Sequence, residues 1–229
     1  MNNVPRSSLI NEVYLSPNFN PRDTNQRITR LTPHCIVGQH NAIDVAKSAK
    51  FTSNHIASAN YIIGKSGEIL LNVEECNRAW TSSSRENDYQ AITFECASDP
   101  TNPYAFNDKV YTQLFLLIVD ICKRYNRNKV VWIPDKTKAL AYKVKDNEFL
   151  ITLHRWFASV ECPGQWLVDK MQSLVTAVNQ ELSSSNVPPV VTDKYYKVQV
   201  GAFKNKDNAD KLLAKLKEQG YSDAYIKYE

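Results

Sequence analysis

The sequence predicts an α/β fold with a central mixed β-sheet flanked by helices, followed by a small β-α-β unit. Two observations support this prediction. Short strand patterns alternate with helical patterns as far as residue 182, which is typical of a sheet covered by helices. A segment rich in serine and proline then follows at residues 183–192 and is interpreted as a linker. The first domain is therefore assigned to residues 1–182 and the small unit to 193–229.

The composition is that of a globular protein with a modest basic charge. The 229 residues are 43% hydrophobic and 23% charged, and the formal net charge is +4. A chain of this length can bury a core without disulfides or structural metals. The charge is too small to predict a nucleic-acid partner. Eight lysines and five acidic residues lie between Lys194 and Glu229, and this local surplus suits a polyanionic surface such as a cell wall.

Neither a membrane span nor a leader peptide is predicted. No run of about 18 apolar residues occurs. The N-terminal string MNNVPRSSLINEV has no cationic head followed by an apolar segment, so synthesis in the cytoplasm without a signal peptide is expected. The five cysteines are an odd number and are widely spaced, so most of them are expected to be free thiols in a reducing compartment.

The first elements are an arm, a short strand and a short helix. Residues 1 to about 28 show no hydrophobic period and are interpreted as an extended arm over the first domain. Cys35–Val37 is a short buried strand that follows Pro33 and His34. Asn41–Phe51 spaces its apolar residues like a short helix.

A hairpin, a strand and a long helix come next. Asn60–Ile63 and Glu68–Leu71 flank the turn sequence GKSG, which predicts two paired strands. Ala91–Cys96 alternates and is interpreted as another strand. Val110–Tyr125 places its apolar residues on one face, which predicts a helix, and Asn107 or Asp108 can cap its first turn.

Two strands and a second long helix complete the first domain, and the C-terminal unit follows. Val130–Ile133 and Phe149–Leu153 are the strands, and Trp166–Leu182 is the helix. The C-terminal unit comprises a strand, a helix and a second strand. The helix is predicted to end at Gly220, because a residue in the left-handed conformation is needed there. These three elements are predicted at Tyr195–Phe203, Asp207–Gln219 and Ala224–Tyr228.

Two histidines and one cysteine are candidate metal ligands. His34 and His154 lie beside predicted buried strands, where an imidazole needs a partner. Cys162 follows His154 by eight residues in the sequence Cys-Pro-Gly, and a loop of that length can return a thiolate to an imidazole. Two imidazoles and a thiolate form a three-ligand zinc site that leaves the fourth position for water. The alternatives are core or surface histidines and a buried thiol that packs as a small hydrophobic side chain.

Five separated strings carry a family resemblance. They are TPHCIVGQ (32–39), NYIIGKSGEI (60–69), NRAW (77–80), NDYQAITFECAS (87–98) and LHRWFASVECPG (153–164). In this order and spacing, over about residues 28–182, the sequence resembles type-2 N-acetylmuramoyl-L-alanine amidases, which share the peptidoglycan-recognition-protein fold. Endolysins and prophage amidases are the relatives we expect.

The resemblance implies a reaction and a set of functional residues. The reaction is hydrolysis of the amide between N-acetylmuramic acid and L-alanine in bacterial peptidoglycan. The implied Zn²⁺ ligands are His34, His154 and Cys162, and the implied acidic general base is Glu95, for which the alternative is a salt-bridged strand carboxylate. The implied substrate-binding residues near the zinc cleft are Tyr61, Trp80, Thr81 and Asn87, and core packing is the alternative for Trp80.

The sequence departs from the family pattern at two positions. Ala59 stands where some relatives have a catalytic tyrosine, and Val160 stands where many have lysine or threonine. Because Val160 cannot donate a hydrogen bond from its side chain, the second donor to the oxyanion is unassigned. The remaining cysteines are interpreted as structural thiols; they are Cys35, Cys76, Cys96 and Cys122.

The C-terminal unit carries a second resemblance. The string VQVGAF, then Asn208-Ala209 and a leucine-rich helix that ends at Gly220-Tyr221, resembles the start of a SPOR domain. This resemblance implies peptidoglycan binding. A typical SPOR domain contains two β-α-β halves, and one half is found here. One half leaves sheet edges and an apolar helix face uncovered, so a homodimer through residues 195–229 is a hypothesis.

The sequence therefore predicts a zinc amidase that cleaves the bacterial cell wall, with a wall-binding unit. Two alternatives stay open: a peptidoglycan-binding protein without activity, and a hydrolase with Cys162 as nucleophile and His154 as base. Without a signal peptide, the expected routes to the wall are a holin pore or lysis of the cell.

Overall fold

A computed structural model of the chain describes residues 4–23, 26–52, 56–184, 200–221 and 226. The chain divides into two units, Met1–Pro188 and Pro189–Glu229, and the division falls within the predicted linker. Most of that linker lies outside the described residues. No helix among the described residues combines the length and the apolar composition that a bilayer span requires.

Nine strands form two sheets among the described residues of the first unit. They are β1 (Glu12–Val13), β2 (Phe19–Pro21), β3 (Arg30–Val37), β4 (Tyr61–Ile63), β5 (Ile69–Leu71), β6 (Asn77–Ala79), β7 (Ala91–Ser98), β8 (Lys129–Val131) and β9 (Glu148–Ile151). The main sheet has seven strands in the order β1-β5-β4-β7-β3-β9-β8, and β2 pairs with β6. Only β4 and β5 are antiparallel in the main sheet; the other neighbours are parallel. The predicted mixed sheet and the predicted hairpin are confirmed.

Helices cover both faces of the main sheet, as predicted. They are α1 (Ala42–Ala46), α2 (Ala49–Thr52), α3 (Arg85–Gln90), α4 (Asp108–Arg124), α5 (Lys136–Ala141) and α6 (Gln165–Ser184). One core cluster contains apolar residues of α1 and α2 together with Ile62 and Leu70. The larger cluster joins α4 and α6 to the opposite face of the sheet. The two faces of the sheet therefore pack against different helices. Side chains of the sheet can share a site only when they lie on the same face.

The two long helices match their predicted patterns. In α6 the buried side chains are the six predicted apolar residues, from Leu167 to Leu182. In α4 the side chain of Asn107 accepts hydrogen bonds from the backbone N–H groups of Lys109 and Val110. This confirms Asn107 as the N-cap residue.

Several elements differ from the prediction. Strand β3 begins at Arg30 rather than at Cys35, so Pro33 and His34 lie inside it. The predicted arm contributes β1 to the main sheet, and the helix predicted over Asn41–Phe51 is two helices separated by a turn. Strands of two or three residues and helices of six residues carry too few positions to show a hydrophobic period, so β1, β2, β6, α3 and α5 gave no signal.

The second unit contains one described helix, α7 (Lys206–Glu218). Gly220 has a φ of +97° and follows the end of the helix, as predicted. Residues 200–203 of the predicted first strand are not in a strand, and the rest of it lies outside the described residues, as does most of the strand predicted at 224–228. No residue of α7 is fully buried, but the four residues predicted to face inward are half-buried; they are Ala209, Leu212, Leu213 and Leu216.

Candidate metal centre

A free strand edge positions the candidate metal ligands. Strand β3 pairs with β9 only at Arg30 and Leu31, and the backbone N–H of Thr152 donates the next hydrogen bond to the carbonyl of Leu31. Because residues 29 and 31 present their backbone groups to β9, residue 33 faces the same edge. Residue 33 is proline, which has no N–H to donate, so the pairing stops there. The chain beyond β9 then leaves the sheet and turns at His154–Trp156.

His34 and Glu95 lie side by side on one face of the sheet. His34 of β3 and Glu95 of β7 are register partners, and Ile62 of β4 is the next partner in the row. Ile62 belongs to the core cluster of α1 and α2, so this is the face that those helices cover. Both polar side chains are nearly buried, with 1% and 8% of their surface exposed.

His34, His154 and Cys162 converge at this edge. One potential ligand atom from each of the three lies within 4.8 Å of the others. Cys162 Sγ is 3.4 Å from His34 Nδ1, and the two imidazole centroids are 4.8 Å apart. His154 Nε2 lies 3.2 Å from the Oγ of Ser83, and this contact leaves Nδ1 of His154 available to the cluster.

The cluster fits zinc in both chemistry and spacing. Two imidazoles and a thiolate are ligands that Zn²⁺ takes in catalytic sites. Zinc–sulfur and zinc–nitrogen bonds in a tetrahedral site place the two ligand atoms about 3.5 Å apart. The distance between Cys162 Sγ and His34 Nδ1 is 3.4 Å, in agreement with that spacing.

Burial keeps the two imidazoles in the form that binds metal. Burial lowers the pKa of His34 well below its ordinary value, and the charges of His154 and Lys50 lower it further. Burial and the charge of Lys50 also lower the pKa of His154. The Nε2 atom of His34 is buried and has no hydrogen-bond partner among the described residues. Both rings are therefore neutral near pH 7, as metal coordination requires.

The thiol of Cys162 needs a cation to ionise. Burial raises the pKa of Cys162 well above its ordinary value, and the side chain of Cys35 and the charge of Glu95 raise it further, whereas the hydrogen bond from the Cys35 backbone N–H opposes the rise. A thiol in such surroundings is a poor nucleophile near pH 7. A coordinated divalent cation reverses this balance because it deprotonates the thiol outright.

Glu95 has the properties of a proton acceptor rather than those of a structural ion pair. Burial raises its pKa to about 7, and the ammonium of Lys50 opposes that rise. No hydrogen bond to another described residue contributes to its pKa. A carboxylate with a pKa near the working pH is suited to general acid–base chemistry.

The structure places three of the four predicted substrate-binding residues in the core. Tyr61 is fully buried on the opposite face of the sheet, where its ring stacks on Phe94 and its hydroxyl donates to Glu75. Asn87 is fully buried, and Thr81 donates to the backbone carbonyl of Ser58. Neither the Tyr61 nor the Asn87 side chain is accessible in the described structure, and their direct contact with a substrate stays a prediction.

Asn87 instead supports the strands that carry the ligands. Its amide donates to the hydroxyl of Thr32, and its carbonyl oxygen accepts from Thr152 and Arg30. Thr32 and Thr152 are two residues from His34 and His154 in the sequence, and their hydroxyls are 2.7 Å apart. This network connects β3 to the segment after β9. It places Asn87 beneath the site.

Trp80 alone of the four is partly exposed. Its indole N–H donates to Asn20, and the guanidinium of Arg78 lies 5.7 Å from its ring centroid. A partly exposed aromatic face next to a cation can contact a sugar ring, so the substrate-binding role of Trp80 stays a prediction.

Sequence reasoning missed three residues of the site. Ser83 contacts His154, and Lys50 acts electrostatically on His34, His154 and Glu95. The backbone N–H of Cys35 donates to Cys162 Sγ. Ser83 and Lys50 carry no spacing signal because they are single polar residues in a loop and a short helix. Cys35 could have been found from its position next to His34.

Comparisons with known families agree with both resemblances. The family described as "N-acetylmuramoyl-L-alanine amidase" matches residues 24–165, and the family described as "SPOR domain" matches residues 192–229. No curated protein matches the chain.

Solved structures share the fold at low sequence identity. A selenomethionine derivative of AmpD is 20% identical with a TM-score of 0.50, covering 74% of this chain and 96% of that one. PlyL is 12% identical with a TM-score of 0.53, covering 73% and 95%. The hydrolase AmiA of Staphylococcus aureus, solved with its ligand, is 11% identical with a TM-score of 0.51, covering 75% and 82%.

Proposed function

Since the chain belongs to the N-acetylmuramoyl-L-alanine amidase family, we propose that it cleaves bacterial peptidoglycan with a zinc ion held by His34, His154 and Cys162. The bond cleaved is the amide between N-acetylmuramic acid and L-alanine. The convergence of two neutral imidazoles and one thiol within 4.8 Å supports this proposal most directly.

Each residue of the site has a separate role in the proposed reaction. A zinc ion bound there would polarise the amide carbonyl and make an attacking water more acidic. Glu95, on the same face as His34, takes the proton from that water and delivers it to the nitrogen of the leaving amine. Ser83 orients the imidazole of His154 through its contact with Nε2. The surrounding core limits the access of bulk water to Glu95, which is 8% exposed.

A cysteine nucleophile is the less favoured alternative. Cys162 Sγ lies within 4.8 Å of a ring nitrogen of His154, the base in that alternative, and 3.4 Å from His34 Nδ1. Burial raises the pKa of the thiol, which opposes the ionisation that a nucleophile needs. A binding protein without activity would not need the complete set of ligands that the cluster provides.

The test of the proposed function combines product analysis with removal of the metal. Incubation of the purified protein with bacterial cell walls is expected to release new amino-terminal alanine without new reducing sugar ends. A zinc chelator should abolish this release, and added Zn²⁺ should restore it. Release that resists the chelator and stops on thiol alkylation would instead support the cysteine nucleophile. New reducing ends would identify a glycosidase and contradict the proposal.

The SPOR domain at residues 192–229 is proposed to hold the enzyme on its substrate. Helix α7 has Lys215 and Lys217 in its last turn, and the unit carries a surplus of lysine over acidic residues. Positive charge favours attachment to an anionic polymer such as the cell wall. Cell-wall peptidoglycan is therefore the proposed partner and the proposed place of action.

A homodimer through residues 195–229 is also proposed. Large hydrophobic side chains are exposed in the described part of this unit; they are Val200, Phe203, Tyr221 and Ile226. A second copy of the unit could cover them. Sedimentation of the intact chain should give the mass of a dimer, and a 1–185 truncation should give that of a monomer. An intact chain that sediments as a monomer would rule this out.

A further inference from the structure

The sulfur of Cys162 has a second neighbour besides the imidazole of His34. It lies 3.4 Å from His34 Nδ1 and 3.4 Å from the backbone nitrogen of Cys35, which donates a hydrogen bond to it. A candidate metal ligand is therefore in contact with the backbone of a residue that carries another free thiol.

The free edge of β3 explains this arrangement. Consecutive residues of a strand direct their side chains to opposite faces, so His34 and Cys35 do not share a face. Cys162 approaches from the side, beyond the point where Pro33 stops the pairing with β9, and can therefore reach both residues. Cys35 and Cys162 are free and only partly buried, whereas Cys96, the register partner of Cys35, is fully buried.

We propose that Cys35 and Cys162 form a reversible disulfide that removes the sulfur ligand from the metal site under oxidising conditions. The proposal rests on the proposed zinc site. It assigns Cys35 a regulatory role and identifies a site of covalent modification.

The reaction balances with a peroxide as oxidant. One thiol and one zinc-bound thiolate together give up two electrons, and a sulfur–sulfur bond forms. The oxygen–oxygen bond of hydrogen peroxide breaks, giving one water and one hydroxide. A disulfide sulfur carries no negative charge, so Cys162 no longer holds the cation. Two imidazoles alone are an incomplete ligand set for zinc, so an ion bound at the site would be released.

The experiment treats the zinc-loaded full-length protein with hydrogen peroxide and follows two readouts. Digestion of the alkylated protein and mass spectrometry should identify a peptide in which Cys35 is joined to Cys162. A metal-sensitive dye should report release of zinc in step with the formation of that peptide. A thiol reductant should remove the cross-link and allow zinc to bind again.

Two matched variants separate this disulfide from general oxidation. Cys35→Ser should give no cross-linked peptide. After excess peroxide, a thiol reductant should restore less of its zinc than in the wild type, because Cys162 without a partner thiol is oxidised further to the irreversible sulfinic acid. Cys76→Ser removes an exposed thiol and should behave as the wild type does. Cys35→Ala provides the same test with an apolar side chain if the serine variant does not fold.

The outcomes distinguish this inference from the proposed function. If the wild-type protein binds zinc and cleaves cell walls but yields no peptide joining Cys35 to Cys162, the disulfide is wrong and the zinc amidase stands. Equal and equally reversible zinc release from the wild type and Cys35→Ser would also overturn it. If the protein never binds zinc, the proposed zinc site is wrong. Detection of the peptide that joins Cys35 to Cys162 then decides by itself whether the disulfide forms.

Discussion

Replacing Glu95 with glutamine is expected to lower the kcat for wall hydrolysis by about 100-fold to 10,000-fold, the range that a general base contributes. Glutamine has nearly the same shape as glutamate but cannot accept a proton at neutral pH. The Glu95 side chain is 8% exposed, its pKa is raised to about 7 by burial, and no hydrogen bond to another described residue contributes to that pKa. Those properties suit proton transfer and leave little structural role for the charge.

The zinc content of Glu95→Gln should equal that of the wild type, because the cluster of ligand atoms does not include Glu95. Zinc analysis, binding to cell walls and release of amino-terminal alanine together test this expectation. The variant should also unfold at a temperature no lower than the wild type, since an amide removes the cost of burying a charge.

Glu148→Gln is a suitable control for this variant. Glu148 is another buried strand glutamate, but it lies at the start of β9, at the opposite end from His154. It accepts hydrogen bonds from the Tyr142 hydroxyl and the Lys145 backbone N–H. Its substitution should leave the kcat of the folded enzyme unchanged. A Glu95→Gln enzyme within a few-fold of the wild type, or one without zinc, would contradict the role assigned to Glu95.

The periodic elements of this fold were predictable from the sequence, and the short ones were not. Helices α4 and α6 begin and end within two residues of the prediction because each has several turns of apolar residues on one face. Strand β1 has two residues and is held to β5 by backbone hydrogen bonds, which leave no pattern in the side chains. Strand β3 extends through Pro33, which suggested a boundary but instead lies at the free edge.

The functional site, too, was only partly predictable from the sequence. Resemblance assigned the roles of His34, His154 and Cys162, and the fold brings them together. Resemblance also placed Tyr61 near the cleft, since it lies in a motif beside the site. In the strand, however, the next residue, Ile62, shares the face of Glu95, and Tyr61 points into the opposite core. A displacement of one residue reverses the face, so proximity along the chain does not establish which residues line a cleft.

Substituting Glu75 with alanine is expected to lower the free energy of unfolding by about 3–5 kcal/mol, as the breaking of a buried ion pair does. Glu75 is 8% exposed, and both of its carboxylate oxygens accept hydrogen bonds, each 2.7 Å long, from the guanidinium of Arg124. It also accepts hydrogen bonds from the hydroxyls of Tyr61 and Tyr125. Its removal takes the acceptor from the two tyrosine hydroxyls and from one side of the Arg124 guanidinium, which keeps its hydrogen bonds to Asp120 and to the backbone carbonyl of Pro5. Each buried polar group left unpaired is costly.

The adjacent residue provides the matched control. Glu74 pairs with Arg6 on the surface, where the two side chains are 27% and 54% exposed, so Glu74→Ala should cost no more than about 1 kcal/mol. Urea unfolding followed by tryptophan fluorescence compares the two variants. The four tryptophans, Trp80, Trp132, Trp156 and Trp166, all lie in the amidase unit, so the signal excludes the SPOR unit. Equal losses from Glu75→Ala and Glu74→Ala would mean that the buried carboxylate does not stabilise the side of the sheet that lies opposite the metal site.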